Sequence, residues 1–184
     1  PSRASTTASR ASPGPSSTFI NACAIAGHAE WLANTDDSTA STTIPFTFTY
    51  YSGMFTTVWF SSNGTVGFGT ANASYTNACL PSGIANAIHT LWDDLYTRTP
   101  GLCTATVGTA PNRQFVVTHQ NGFFFYNPVT TTSLNFSTIL NETSGIIDLQ
   151  FDTMVAPSDG TRGTGDNATI GVQGPSGQST QFSC

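Results

Sequence analysis

The stretch from Phe55 to Leu95 constrains the fold more than any other part of the sequence. Asn63-Gly64 lies there between two apolar runs, Met54–Phe60 and Val66–Phe68. An Asn-Gly pair in this setting is the strongest short-range signal for a β-hairpin, because both residues tolerate the positive φ of a type I′ turn. The sequence therefore predicts two antiparallel strands joined at this turn.

Short strand-like segments continue on both sides of the hairpin. Ile44–Tyr50 alternates apolar and hydroxyl residues, and in Ile146–Phe151 the residues Ile147, Leu149 and Phe151 are expected to face the core. Further strands are predicted at Thr18–Ala26, Cys103–Val107, Gln114–Gln120, Leu134–Leu140 and Ala168–Gln173, while Ile84–Leu91 fits a helical turn or a strand. About ten strands without a convincing amphipathic helix predict an all-β antiparallel sandwich or jelly roll.

The chain divides into two regions of different composition. Residues 1–17, PSRASTTASRASPGPSS, have no apolar period and cannot bury themselves. We expect this N-terminal arm to be flexible or held by a partner. Residues 18–184 are long enough to form a single β-sandwich domain with its own core.

Charged side chains are scarce, at 8% of the chain, whereas about a quarter is usual. The five basic residues are all arginine and the net charge is −5, which argues against binding to nucleic acid phosphates. No window approaches the roughly 18 apolar residues that a membrane-spanning helix needs. A surface solvated mainly by Ser and Thr is typical of an extracellular or cell-surface protein.

The chain has four cysteines, an even number without the CxxC spacing of a zinc site. They allow three pairings. We favour Cys79–Cys103, which would close a loop around Trp92, together with Cys23–Cys184, which would join the first strand to the last. The alternative is free buried thiols. Disulfides would agree with an extracellular location.

Trp92-Asp93-Asp94 is the sequence most suggestive of a site. Adjacent residues of a strand point to opposite faces, so these two carboxylates cannot converge as an acid/base pair. We interpret Trp92 as a core anchor and expect one of the aspartates to accept backbone hydrogen bonds in the following turn.

A Gly-rich segment near the C-terminus supplies a second candidate site. Asp159 and Asp166, with Asp152 upstream, could offer oxygen ligands to calcium, but their spacing matches no known calcium loop. Asp and Gly are also ordinary turn residues. We therefore expect no cofactor and keep calcium as the alternative. The sequence also lacks a nucleophile elbow and an HExxH motif, so we expect no enzymatic activity.

Five Asn-x-Ser/Thr sequons are candidate N-glycosylation sites in a secreted protein. They lie at Asn63, Asn72, Asn135, Asn141 and Asn167. Given the abundance of Ser and Thr, most of them would arise by chance.

Several motifs follow one another in order between about residues 44 and 175: SSNGTVGFG, LPSG, LWDDL, PNRQFVVTHQN, LNFSTIL, GIIDLQF and ATIGVQG. This order resembles the nidogen-like (NIDO-type) extracellular β domain and related domains of bacterial secreted and surface proteins. Thr90-Leu91 stands where the family usually has Pro-Phe, and His119 stands where a Trp is common. The resemblance implies an extracellular adhesion or scaffold module and carries over no catalytic residue.

Two functions are compatible with these features. The favoured one is a non-enzymatic structural or adhesive protein, a subunit of a surface filament, pilus-like fibre or coat that self-associates through the N-terminal arm or a sheet edge. The alternative is a secreted module that binds carbohydrate or protein, with or without calcium. Its candidate sugar-stacking residues are Trp31, Trp59 and Tyr126.

Overall fold

The computed structural model describes residues 18–125, 133–154 and 167–184 as twelve strands and one short 3-10 helix. The first sheet has the order β1 (Ala29–Trp31), β7 (Gly101–Val107), β8 (Gln114–Phe124), β9 (Leu134–Asn141) and β10 (Ile147–Met154), with β6 (Leu95–Tyr96) also on β8. The second has the order β12 (Ser179–Ser183), β11 (Thr169–Gln173), β5 (Ala87–Trp92), β4 (Thr65–Gly67), β3 (Gly53–Ser61) and β2 (Thr39–Tyr50).

All strand pairs are antiparallel, and the main core lies between the two sheets. The second sheet contributes Phe48, Phe68 and Ile88, and the first contributes Phe115 and Val117. Each buried aromatic ring removes roughly 150–250 Å² from water. The predicted all-β antiparallel sandwich is confirmed, with twelve described strands where about ten were predicted. The N-terminal arm lies outside the described residues.

The segment that follows the arm is not the predicted strand Thr18–Ala26. It contains the 3-10 helix Ala22–Ala24, capped by the side chain of Asn21, which accepts the amide of Cys23 at 2.9 Å. This segment lies across the outer face of the first sheet, where Ala22 packs with Val116 and Ile139. The apolar residues that suggested a strand therefore pack against the sheet as a covering segment. The side chain of Asn21 makes a local hydrogen bond to the backbone in place of the ladder bonds of a strand.

The loop of residues 69–86 covers the middle of the outer face of the second sheet, around β3 and β5. Trp59, Ile84, Ala87 and Trp92 form a separate buried cluster under this loop. The indole N–H of Trp92 donates to the carbonyl of Ser74 at 2.7 Å. The segment Ile84–Leu91, left open by its pattern, ends in strand β5, which is buried on both faces.

The predicted disulfide pairing is wrong. The bonds join Cys23 to Cys103 and Cys79 to Cys184, with Cα–Cα distances of 5.1 and 5.4 Å. Cys103 lies on β7 beneath the N-terminal covering segment, and Cys79 lies in the covering loop beside the end of β12. Each disulfide therefore attaches one covering segment to the sheet that it covers, and no described cysteine is free.

The hairpin between β3 and β4 is confirmed, but its turn differs from the predicted type I′. Gly64 has a φ of +77°, Asn63 does not adopt a positive φ, and the Gly64 amide donates to Ser61. A Cβ on Gly64 would lie 2.0 Å from the Leu91 carbonyl oxygen. The turn therefore requires glycine both for its φ and for the close approach of β5.

Phe151 was predicted to face the core, but it is 40% exposed. It lies on β10, the edge strand of the first sheet, whereas Ile147 and Leu149 of the same strand pack against the main core. An edge position leaves one flank of the ring without a neighbouring strand.

Candidate functional site

Three carboxylates from distant parts of the sequence meet at one end of the sandwich. Asp36 and Asp37 lie in the loop after β1, and Asp94 lies in the turn between β5 and β6. One oxygen of each lies within 4.8 Å of the others. Asp94 is buried, Asp36 is half-buried and Asp37 is exposed. Within the described residues this is the only group of three or more potential metal-ligating residues at such distances.

The buried side chain of Asn63 holds the elements of this cluster together. Its Nδ2 donates to Oδ1 of Asp37 at 2.8 Å and to the carbonyl of Ala73 at 3.0 Å. Its Oδ1 accepts the amide of Leu95 at 2.9 Å. The hairpin turn therefore links the acidic loop, the covering loop and the turn that carries Asp94.

Backbone geometry fixes the acidic loop on its other side. The amide of Thr35 donates to Oγ1 of Thr97, and the amide of Thr97 donates to the carbonyl of Thr35, both at 3.1 Å. Asp37 has a φ of +46°, a conformation that Asp adopts more readily than most residues. These contacts set the positions of Asp36 and Asp37 beside Asp94.

The carboxylate of Asp36 lies in an electrostatically unfavourable position. Burial, followed by the neighbouring Asp37 carboxylate, raises the pKa of Asp36. Oδ1 of Asp36 is buried and has no hydrogen-bond partner among the described residues. A proton or a hard cation would relieve this repulsion, although three carboxylates are fewer than the six to eight oxygens that calcium takes.

Of the three aspartates predicted as calcium ligands, the structure describes only Asp152. Asp152 is exposed on β10 and accepts the hydroxyl of Thr153 at 3.0 Å, while Asp159 and Asp166 lie outside the described residues. Strand geometry excluded a pair between Asp93 and Asp94 but did not reveal the contribution of Asp36-Asp37. Only the tertiary fold brings that loop to Asp94.

Trp92, Asp93 and Asp94 are all buried at the end of β5. The Trp92 ring stacks on His89 with a centroid distance of 4.6 Å. Oδ1 of Asp93 accepts the amide of Asp94 at 2.7 Å. The segment thus anchors the covering loop through Trp92 and orders the following turn through Asp93.

The five sequons occupy different environments. Asn63 is fully buried and uses both its amide hydrogens, so its position is incompatible with an attached glycan in this fold. Nδ2 of Asn141 donates to the carbonyl of Ile146 and to Asp148. Asn72 and Asn135 are half-buried, and Asn167 is exposed.

Two histidines are buried in the sandwich. His89 is fully buried beside Trp92, and Nε2 of His119 lies 2.9 Å from the carbonyl of Ser61. Desolvation lowers the pKa of each to about 4. Both are therefore neutral at pH 7. The ring of His119 stacks on Phe136, and His119 stands where a Trp is common in the family.

The predicted sugar-stacking tryptophans are not surface platforms. Trp59 is buried under the covering loop. Trp31 is half-buried, packs edge-on against Phe60 and donates its indole N–H to Thr104. Tyr126 lies outside the described residues.

The fold and the motif order agree with one protein family. The NIDO-related family model matches residues 14–183. The chain belongs to the NIDO-related family. Comparison with curated proteins and with solved structures gave no significant match. Membership of the NIDO-related family, together with the two disulfides, indicates an extracellular domain. None of the described helices is long and apolar enough to cross a membrane.

Proposed function

We propose that this NIDO-related protein is a non-enzymatic structural or adhesive subunit of an extracellular assembly at the cell surface. The observation that carries the proposal is the division of the chain into a disulfide-bonded domain and an arm of opposite charge. Residues 1–17 contain two arginines and no acid, whereas residues 18–184 contain three arginines and all ten acids. The formal charges are therefore +2 and −7.

The construction of the domain supports this proposal. Covering segments attached by disulfides lie over the middle of the outer face of each sheet, so the outer residues that stay exposed lie mainly on or beside the edge strands, such as β2 and β12. What the described sandwich offers is its strand edges, since both sheets are open. Open edges are the usual sites at which extended chains add to a sheet.

Removal of residues 1–17 tests the function. We expect the full chain to form oligomers or filaments and the truncated chain to be monomeric, as measured by sedimentation velocity and negative-stain microscopy. Circular dichroism and thermal unfolding control for the fold, which should be retained. A full chain that stays monomeric at all concentrations would contradict the proposal, as would a truncated chain that still assembles.

A second candidate function is recognition of carbohydrate or protein by a monomer. Two exposed tyrosines favour it, Tyr51 in the β2–β3 turn and Tyr75 in the covering loop. Aromatic rings with a polar tip are common at binding surfaces. A glycan array probed with and without EDTA tests this function and its dependence on calcium. Tyr51→Ala and Tyr75→Ala should reduce any binding that it detects.

A further inference from the structure

We propose that edge strand β10 of one copy is the acceptor for the N-terminal arm of a second copy. This inference rests on the proposed self-assembly and identifies the surface that would carry it. The arm would add alongside the regular part of β10 as an extra strand of the first sheet.

Among the described strands, the two sheets end at β1, β10, β12 and β2, and β6 adds an edge of only two residues; these edges differ as acceptors. β1 has three residues, and β12 pairs regularly over only three before a shift. β2 is long, but its pairing with β3 is interrupted between Thr43 and Phe48 and it contains Pro45. β10 pairs in unbroken register with β9 from Ile147 to Phe151, so it presents five regular residues.

The first described residues after the arm lie beside β10. The amide of Ile20 donates to the side-chain oxygen of Gln150 at 2.8 Å, and the Ser137 hydroxyl donates to the Ile20 carbonyl. The chain thus crosses the outer face of β10 near its middle instead of running along its edge. Two residues separate Ile20 from the end of the arm in the sequence.

Charge and shape distinguish β10 from the other edges. Asp148 and Asp152 flank Gln150, and Phe151 is 40% exposed. The other edge with five regular residues, Thr39–Thr43 of β2, carries no charge. Arg3 and Arg10 of the arm are therefore complementary to β10 and have no acidic partner on β2 itself.

The arm has the composition to add as a strand. Residues 2–12 contain no proline, and eleven residues exceed the eight of β10. Pro13 and Pro15 follow, between this stretch and the domain. Proline cannot donate to a ladder, so its absence from residues 2–12 permits continuous pairing.

A charge-reversal cycle in the full chain tests the proposal. Asp148→Arg with Asp152→Arg, or Arg3→Glu with Arg10→Glu, should each weaken association about tenfold in sedimentation velocity. Combining the two pairs should restore association toward the wild type. The matched control for Asp152→Arg is Glu30→Arg on β1, at the opposite edge of the same sheet. Glu30→Arg should leave association unchanged.

The outcomes separate this inference from the proposed function. If the chain assembles and the β10 reversals change nothing, the arm binds elsewhere and the inference is overturned while self-assembly stands. If the chain never assembles, both fail. Circular dichroism shows whether a charge-reversal variant is misfolded. In that case Asp152→Asn is used instead, and it should weaken association by a smaller factor.

Direct contact provides the second measurement. A photo-crosslinker at Thr6 should attach to a peptide from β10 of a copy labelled with a different isotope. Crosslinks confined to the same copy, or to peptides from β2, would overturn the inference.

Discussion

A single buried side chain, Asn63, connects three loops at the acidic end of the sandwich. Its Nδ2 donates to the Asp37 carboxylate and to the Ala73 carbonyl, and its Oδ1 accepts the Leu95 amide. An amide is the only natural side chain of this length that both donates and accepts in this way. The residue that identified the hairpin in the sequence is therefore required by tertiary contacts more than by its own φ.

Replacing Asn63 with alanine should destabilise the domain by about 3 kcal/mol, because it leaves the buried Leu95 amide and the half-buried Ala73 carbonyl without this partner. Urea unfolding measures this loss. The control is Asn72→Ala, in which a half-buried asparagine loses only its local bond to the amide of Ser74. Equal losses in the two variants would contradict the assigned role of Asn63.

The buried histidines predict how stability depends on pH. In the folded chain the pKa values of His89 and His119 are lowered from 6.5 to about 4. The unfolded chain therefore binds more protons between these values, so stability is complete above pH 6.5 and falls as the pH decreases toward 4. The loss amounts to about 3 kcal/mol for each histidine.

Guanidinium unfolding at several pH values between 7 and 4 measures this dependence. His119→Gln should flatten the slope in that window, whereas His28→Gln should not, because the pKa of the half-buried His28 is raised instead of lowered. The raised pKa of Asp36 acts in the opposite direction, because protonation of a disfavoured carboxylate stabilises the folded state as the pH falls through that pKa. An unchanged slope in His119→Gln would contradict the assignment.

At the scale of the elements, the strands were largely predictable and the covering segments were not. Alternation in Ile44–Tyr50 and the Asn63-Gly64 signal depend on local sequence, which a pattern reports directly. Thr18–Ala26 is as apolar as a strand, but it covers a sheet, and its role is set by long-range contacts with Thr118 and Gln150. The acidic cluster escaped detection for the same reason, since Asp36 and Asp94 are 58 positions apart in the sequence.

Each disulfide should stabilise mainly the covering segment that it attaches. Cys23→Ser with Cys103→Ser should speed the hydrogen exchange of the amides of Ala22, Ala24 and Ile25 in the N-terminal covering segment. Cys79→Ser with Cys184→Ser should instead loosen the covering loop and change the fluorescence of Trp59 and Trp92. In the chain-entropy model, closing loops of 80 and 105 residues stabilises a fold by about 4.5 to 5 kcal/mol for each disulfide.

Hydrogen exchange by mass spectrometry and tryptophan fluorescence measure these two responses, and peptide mapping without reduction checks the pairing. If Cys23→Ser with Cys103→Ser changed the tryptophan fluorescence instead, that result would contradict the link between each disulfide and its covering segment. Recovery of a Cys79–Cys103 peptide would contradict the pairing itself.

At the scale of the whole molecule, the features that bear on association are the edge strands of the sandwich and the opposite charges of the arm and the domain. The two covering segments bury the middle of each sheet's outer face, and the charged side chains are few. What the described residues offer for association is the edge strands with their exposed outer side chains, together with the charge difference between the arm and the domain. Edge pairing provides contacts that do not depend on ionic strength, whereas the attraction between +2 and −7 does.

Salt should therefore weaken assembly without abolishing it. Raising the ionic strength from about 10 mM to about 1 M shortens the Debye length from about 30 Å to about 3 Å, which screens exposed ion pairs almost completely. Sedimentation velocity should show weaker association, while the thermal unfolding temperature changes little because the core is apolar. The Arg3→Glu, Arg10→Glu variant supplies the control, since repulsion replaces attraction and salt should strengthen its association. Assembly that strengthens with salt in the wild type would indicate hydrophobic association through exposed residues such as Phe182 and Met54, and would contradict a charged arm as the connecting element.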